Sequence, residues 1–190
     1  MICWADTETG GLDENINPIL SLGYVFTEDD LKPIYGNEIL IKNKHALECN
    51  PKALSVNQID LYEHEKEALD PKEAIKIFEN DLKKYFGRKK PVFGGHNFDF
   101  DLRFINMMYK REDKKFVYHW KTYDTVHFFR VLSILGPIKV KSISMDKLME
   151  YFNMKPYGQR HSALADVYDL LNLLNRCKRL RLLKAVTDIN

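Results

Sequence analysis

"MICWADTETGGL" (residues 1–12) runs from an apolar stretch, Met1 to Ala5, into two carboxylates one residue apart and then into a Gly-Gly pair. The apolar stretch reads as a short, buried, central strand. Successive side chains on a strand point to opposite faces, so Asp6 and Glu8 share one face. Two carboxylates held together repel, and neither gains from burial. No cationic partner stands within the stretch. A divalent cation resolves the conflict, because hard cations take oxygen ligands. Alone, the pair has an ordinary reading as a strand end or turn.

Outward from this strand, Gly10-Gly11 and the polar stretch 13–17 mark a turn. Two further strands follow, "PILSLGYVF" (18–26) and "NEILIKN" (37–43), which predicts an antiparallel meander. "NPKALSVNQI" (50–59) predicts a short helix after an Asn-Pro start. Asp70, Pro71 and Glu73 form a helix-start signal with a capping box. Ala74, Ile75, Phe78, Leu82, Tyr85 and Phe86 follow at helical spacing, and Gly87 ends the run. "PVFGGHN" (91–97) is a fourth strand and 99–109 a helix. A short strand near 116–123 and helices over 124–135, 144–152 and 162–184 complete the chain. Leu164, Val167, Tyr168, Leu171, Leu174 and Cys177 form the apolar stripe of the last helix. The order is that of an α/β domain with a mixed sheet.

The chain's 190 residues suit one domain over 1–190 with a core of its own. Hydrophobic residues make up 45% and charged residues 29%, an ordinary globular balance. No run can span a bilayer, and the polar motif at Asp6 leaves no room for a signal peptide, so an intracellular, cytoplasmic protein is expected (in a host cytoplasm if viral). Cys3, Cys49 and Cys177 lack metal-type spacing and read as reduced thiols. A net charge of +2 neither demands nor excludes nucleic acid. "GRKK" (87–90), "KREDKK" (110–115) and "RCKRLRLLK" (176–184) are basic clusters whose ordinary reading is a solvated face.

Two more acidic clusters lie downstream. In "GGHNFDFDLRF" (94–104), Asp99 and Asp101 stand about 200° apart around a helix, so they cannot both face one site. Asp99 takes the helix-start role beside the free N–H groups. In "RHSALADVYDLL" (160–171), His161 and Asp166 would diverge by about 140° on one helix. With Ser162 as N-cap, His161 falls on the preceding loop and can fold back toward Asp166. Each cluster alone has an ordinary explanation. Together, four carboxylates from three separated segments suit two Mg²⁺ ions about 3.5–4 Å apart, as in phosphodiester chemistry.

The chain resembles the DEDDh exonucleases, the DnaQ-like group with a ribonuclease H-like fold, along nearly its whole length. "ADTETGGL" is similar to the family's D-x-E-T-(T/G)-G-L form, "HNFDFDLRFI" to H-N-x-x-F-D-x-x-F-(L/I), and "HSALAD" to H-x-A-x-x-D. The second register places the family Asp on Asp101. The tyrosine variant would need Tyr where Ser162 stands. "YDTVHFFR" (123–130) and "SMDKLMEYFNM" (144–154) are also similar to family stretches. "NPKALSVNQI" resembles a segment that usually ends in His-Gly-Ile, with Asn57-Gln58 in place of His-Gly.

The resemblance implies a single exonuclease domain with a central mixed five-stranded sheet flanked by helices. It implies metal-dependent hydrolysis of the terminal phosphodiester at a 3′ end, releasing nucleoside 5′-monophosphates. Asp6, Glu8, Asp101 and Asp166 would hold two divalent ions, Mg²⁺ or Mn²⁺, and His161 would be the general base. Thr7, Thr9, Gly10, Leu12, His96, Asn97 and Phe104 would contact substrate or support those that do. The implied partner is nucleic acid with a free 3′ end, DNA favoured over RNA, with a polymerase or repair complex as a further partner. The alternatives are an RNA-trimming enzyme and a catalytically silent nucleic-acid-binding module.

Overall fold

The computed structural model describes residues 1–45, 47–158 and 162–180. β1 (Ile2–Thr9), β2 (Ile19–Thr27) and β3 (Pro33–Leu40) form the expected antiparallel meander. β4 (Phe93–Gly95) and β5 (Tyr123–Asp124) add in parallel on the other side of β1. The sheet order is β3-β2-β1-β4-β5, so the strand carrying the carboxylate pair is central in a mixed sheet of five.

The helices are α1 (Pro51–Asn57), α2 (Leu61–Glu67), α3 (Pro71–Phe86), α4 (Phe98–Arg111), α5 (Thr125–Leu135), α6 (Met145–Tyr151) and α7 (Ala163–Arg179). Cys3 and Ala5 of β1 join a core with Ile75 and Phe78 of α3 and Ile105 and Met108 of α4. Trp4, two residues before Asp6, packs instead with Val167, Leu170 and Leu171 of α7. The alternation of one strand therefore divides the molecule into layers: odd residues face α3 and α4, even residues face α7. α7 lies directly on the sheet because Gly23 offers no side chain there; a Cβ on it would sit 2.2 Å from the Leu164 nitrogen.

Several boundaries differ from the sequence reading. β1 runs on through the acidic motif to Thr9, because its ladder with β2 continues, with an irregularity between Glu8 and Thr9. β3 begins at Pro33 rather than Asn37, since Pro and polar residues are tolerated on an edge strand. β5 is shorter than 116–123 because only Tyr123 and Asp124 pair with β4. Phe116 instead packs into the core. At α3, Asp70 caps through the Lys72 N–H, with Glu73 in the first turn. α2 was not foreseen: it buries only His64, so it has no apolar stripe, although Asp60 caps it and Glu63 follows three residues later.

Candidate active site

Asp6 and Glu8 lie near the carboxyl end of β1 on the face that α7 covers. Ser162 caps α7, accepting the Ala165 N–H at 3.3 Å. Asp166 stands one turn into the helix. Its placement brings three carboxylates together: one ligand oxygen each from Asp6, Glu8 and Asp166 all lie within 4.8 Å of one another.

Asp101 reaches the same end of β1 from α4, on the opposite face of the strand. It is buried, and its Oδ1 accepts the Thr7 N–H at 2.9 Å and the Thr7 hydroxyl at 2.7 Å. It stands outside the close group of three. Its charge nevertheless acts on Asp6, where it follows burial as the next largest cause of a raised pKa. Asp166, Glu8 and Glu38 add to that rise. Burial first, then Asp166, Glu38 and Asp101, push the Glu8 carboxyl up to about 8. Burial also raises Asp101, against the two Thr7 bonds that lower it. Crowded, partly buried carboxylates with raised affinity for protons are a grouping that a cation would relieve. An all-oxygen donor set of this kind fits Mg²⁺ or Mn²⁺.

A cleft of about 320 Å³ adjoins Glu8. Its lining includes Thr9, Gly11 and Leu12 at the end of β1, Val56 and Asn57 of α1, and Phe100 of α4. Leu12 is 81% exposed and Val56 54%, so two apolar side chains face solvent at its mouth. Asn57 Nδ2 donates to the Thr9 carbonyl at 2.9 Å, tying α1 to the end of β1. The residue that departs from the family segment thus has a structural bond here.

Other expected site residues are placed differently. Gly10 is buried in the turn, donating to the Pro18 carbonyl, and Gly11 takes the place beside the cleft. His96 is engaged at both ring nitrogens, Nδ1 with Thr125 Oγ1 at 2.9 Å and Nε2 with the Ile143 carbonyl at 2.8 Å. It joins β4 to α5 and the 143 loop rather than presenting a free nitrogen to substrate. Asn97 is exposed at the start of α4 in a left-handed conformation, its N–H on Asp124 Oδ1. Phe104 is 1% exposed, because its position on α4 turns it into the core, where it can only support the residues that line the cleft. Phe100, one turn earlier, is the ring at the cleft and packs on Phe104 at 4.9 Å. A helical period counted back from Phe104 would have found it. Asp99 sits exposed in the first turn of α4, as its helix-start role requires. His161 lies outside the described residues.

Carboxylates from β1 and α7 thus converge at the end of the central strand of a five-stranded mixed sheet, the arrangement of a nuclease with a ribonuclease H-like fold. A family model described as an exonuclease, of RNase T type, matches residues 3–174, and the chain belongs to that family. No curated protein matches it by sequence.

Among solved structures it is similar to exonuclease I, at 18% identity and a TM-score of 0.80. It is also similar to E. coli exonuclease I in complex with a 5cy-dT13 oligonucleotide, at 17% identity and 0.79. A zinc-bound E. coli exonuclease I–ssDNA complex matches at 18% and 0.80. Each alignment covers 97% of this chain and 42% of the other, so the chain spans about two fifths of those proteins. At this identity the likeness establishes the fold. Among the described residues, no helix is long and apolar enough to cross a membrane.

Proposed function

We propose that the protein removes nucleotides one at a time from the 3′ end of DNA, single-stranded or frayed, releasing nucleoside 5′-monophosphates. The observation that carries this reading is the convergence of Asp6, Glu8 and Asp166 within 4.8 Å beside a cleft with apolar walls. The cleft takes the terminal nucleotide. Leu12 and Val56 cover the base, Phe100 supports it from below, and backbone groups of the Thr9–Gly11 turn bind the terminal sugar.

Asp6, Glu8 and Asp166 would hold two divalent ions, Mg²⁺ or Mn²⁺, with Asp101 completing the acidic set. When bound, such ions neutralise the crowded carboxylates and stabilise charge on the attacking and leaving oxygens. Thr7 fixes Asp101 through two hydrogen bonds to one oxygen. His161 removes a proton from the attacking water, a role imidazole side chains take in general acid–base catalysis.

The preference for DNA is supported by the oligonucleotides bound to the similar exonuclease I structures, dT13 and dA16 among them. A repair or polymerase complex is the proposed setting. The free thiols of Cys3, Cys49 and Cys177 support a reducing, cytoplasmic compartment. Equal amounts of 5′-labelled DNA and RNA of one sequence, mixed and digested with Mg²⁺, test the reading. DNA should shorten first. Faster loss of the RNA would reverse the assigned sugar preference.

A further inference from the structure

We infer that Glu38 is a fifth carboxylate of the site, a positioning residue that seats the first turn of α7 so that Asp166 meets the pair on β1. The sheet register places Asp6 opposite Gly23, and Gly23 opposite Glu38. Directly paired residues share a face, so Glu38 stands in the same row as Asp6, two strands away.

Between them, Gly23 is a notch that the backbone of Ala163 and Leu164 occupies. The notch sets how closely α7 approaches the sheet. It does not set how the helix is rotated or slid over that spot. Glu38 supplies this constraint. Its Oε2 accepts the Ser162 hydroxyl at 2.7 Å, while Ser162 Oγ accepts the Ala165 N–H at 3.3 Å. The Ser162 carbonyl in turn accepts the Asp166 N–H at 3.0 Å. Two hydrogen bonds in series thus run from β3 through Ser162 to Asp166, with the Ala165 N–H as a branch at the Ser162 hydroxyl.

The arrangement has an electrostatic cost. The Glu38 charge is among those that raise Asp6 and Glu8, so it adds to the repulsion a bare site must bear. A neutral acceptor would avoid that cost. An ionised one gives a charge-assisted bond, shorter and roughly twice as strong. Glu38 therefore links the closing of the acidic cluster to the placement of α7.

This inference rests on the reading of Asp166 as a metal ligand, and the test separates the two. The intact chain is titrated with Mn²⁺ by calorimetry, and kcat and KM are measured on a DNA oligonucleotide. Glu38→Ala should weaken Mn²⁺ binding about tenfold, the size usual for loss of a group that orients a ligand, and lower kcat with KM little changed. Ser162→Gly keeps a tolerated N-cap while removing the hydroxyl donor, and should match it. Glu38→Gln keeps an acceptor of the same shape and should recover part of the loss, the share that a neutral hydrogen bond supplies.

Equal loss in Glu38→Gln and Glu38→Ala would overturn the inference in favour of a bare field effect. Unchanged Mn²⁺ affinity in Glu38→Ala and Ser162→Gly, with Asp166→Asn impaired, would overturn it while leaving Asp166 its role. Asp166→Asn binding Mn²⁺ and cutting DNA like the unaltered protein would overturn both.

Discussion

Thr7 donates its backbone N–H and its hydroxyl to the same oxygen of Asp101, 94 residues away, at 2.9 and 2.7 Å. The residue between the two carboxylates of β1 thereby places a third. Thr7→Val keeps the shape and the backbone donor but loses the hydroxyl. Loss of one hydrogen bond to a buried carboxylate should cost about 1–3 kcal/mol of stability. Activity should fall about tenfold, and a Mn²⁺ titration should reach the plateau later. Urea unfolding and initial rates on one preparation measure both effects.

Asp6 is surrounded by like charge, so its neutral isostere should relieve strain while removing function. Asp6→Asn should raise the melting temperature in chelator. The same change should lower the rate by about 100-fold or more, as expected for loss of a group that stabilises developing charge. A lower melting temperature in chelator would show that the carboxylate is stabilised by neighbours rather than strained by them.

The raised carboxyls fix the sign of the pH dependence. Glu8 moves from 4.5 to about 8 on folding, so between those values the folded chain holds more protons than the unfolded one. Stability of the metal-free protein should therefore fall as pH rises through that window. It is greatest below the lower value and lost by the upper one. Melting scans from about pH 5 to about pH 8 check this, and Glu8→Gln should flatten the slope. Added Mn²⁺ should stabilise most at the alkaline end, where the carboxylates are free to bind it.

Phe100 and Phe104, one turn apart on α4, should separate cleanly. Phe104→Ala opens a cavity in the core and should destabilise by about 3–5 kcal/mol. Phe100→Ala should lower stability less and raise KM for a DNA oligonucleotide, since its ring supports the cleft. An unchanged KM would remove Phe100 from the substrate contacts.

Gln58 ends α1 in a left-handed conformation, with φ of 56°. Gln58→Gly should stabilise by about 0.5–1 kcal/mol, because only glycine adopts this region without steric cost. Thermal melts of the two proteins decide it.

The central strand, the meander and six of the seven helices among the described residues were legible because each carries a strong local signal: the Gly-Gly turn, the Asp70-Pro71 start, the stripe of α7. α2 was not, since a helix that buries one residue leaves no period to read. Asp6, Glu8 and Asp166 come together as their spacing and the resemblance suggested. The placing of Asp101 by Thr7, the seat at Gly23 and the role of Glu38 depend on register between strands and helices far apart in sequence. Residue types alone do not reveal that register. Phe104 illustrates the limit in the other direction: the motif marks it, yet the phase of α4 buries it and brings Phe100 to the cleft.

The most direct test of the acidic cluster as a catalytic centre follows a single 5′-labelled DNA strand incubated with Mn²⁺ and the unaltered protein, beside Asp166→Asn. The expected result is a ladder that shortens one nucleotide at a time from the 3′ end, with nucleoside 5′-monophosphate released. The ladder should vanish with chelator and in the variant. Internal cuts, or an undiminished ladder from Asp166→Asn, would contradict the assignment.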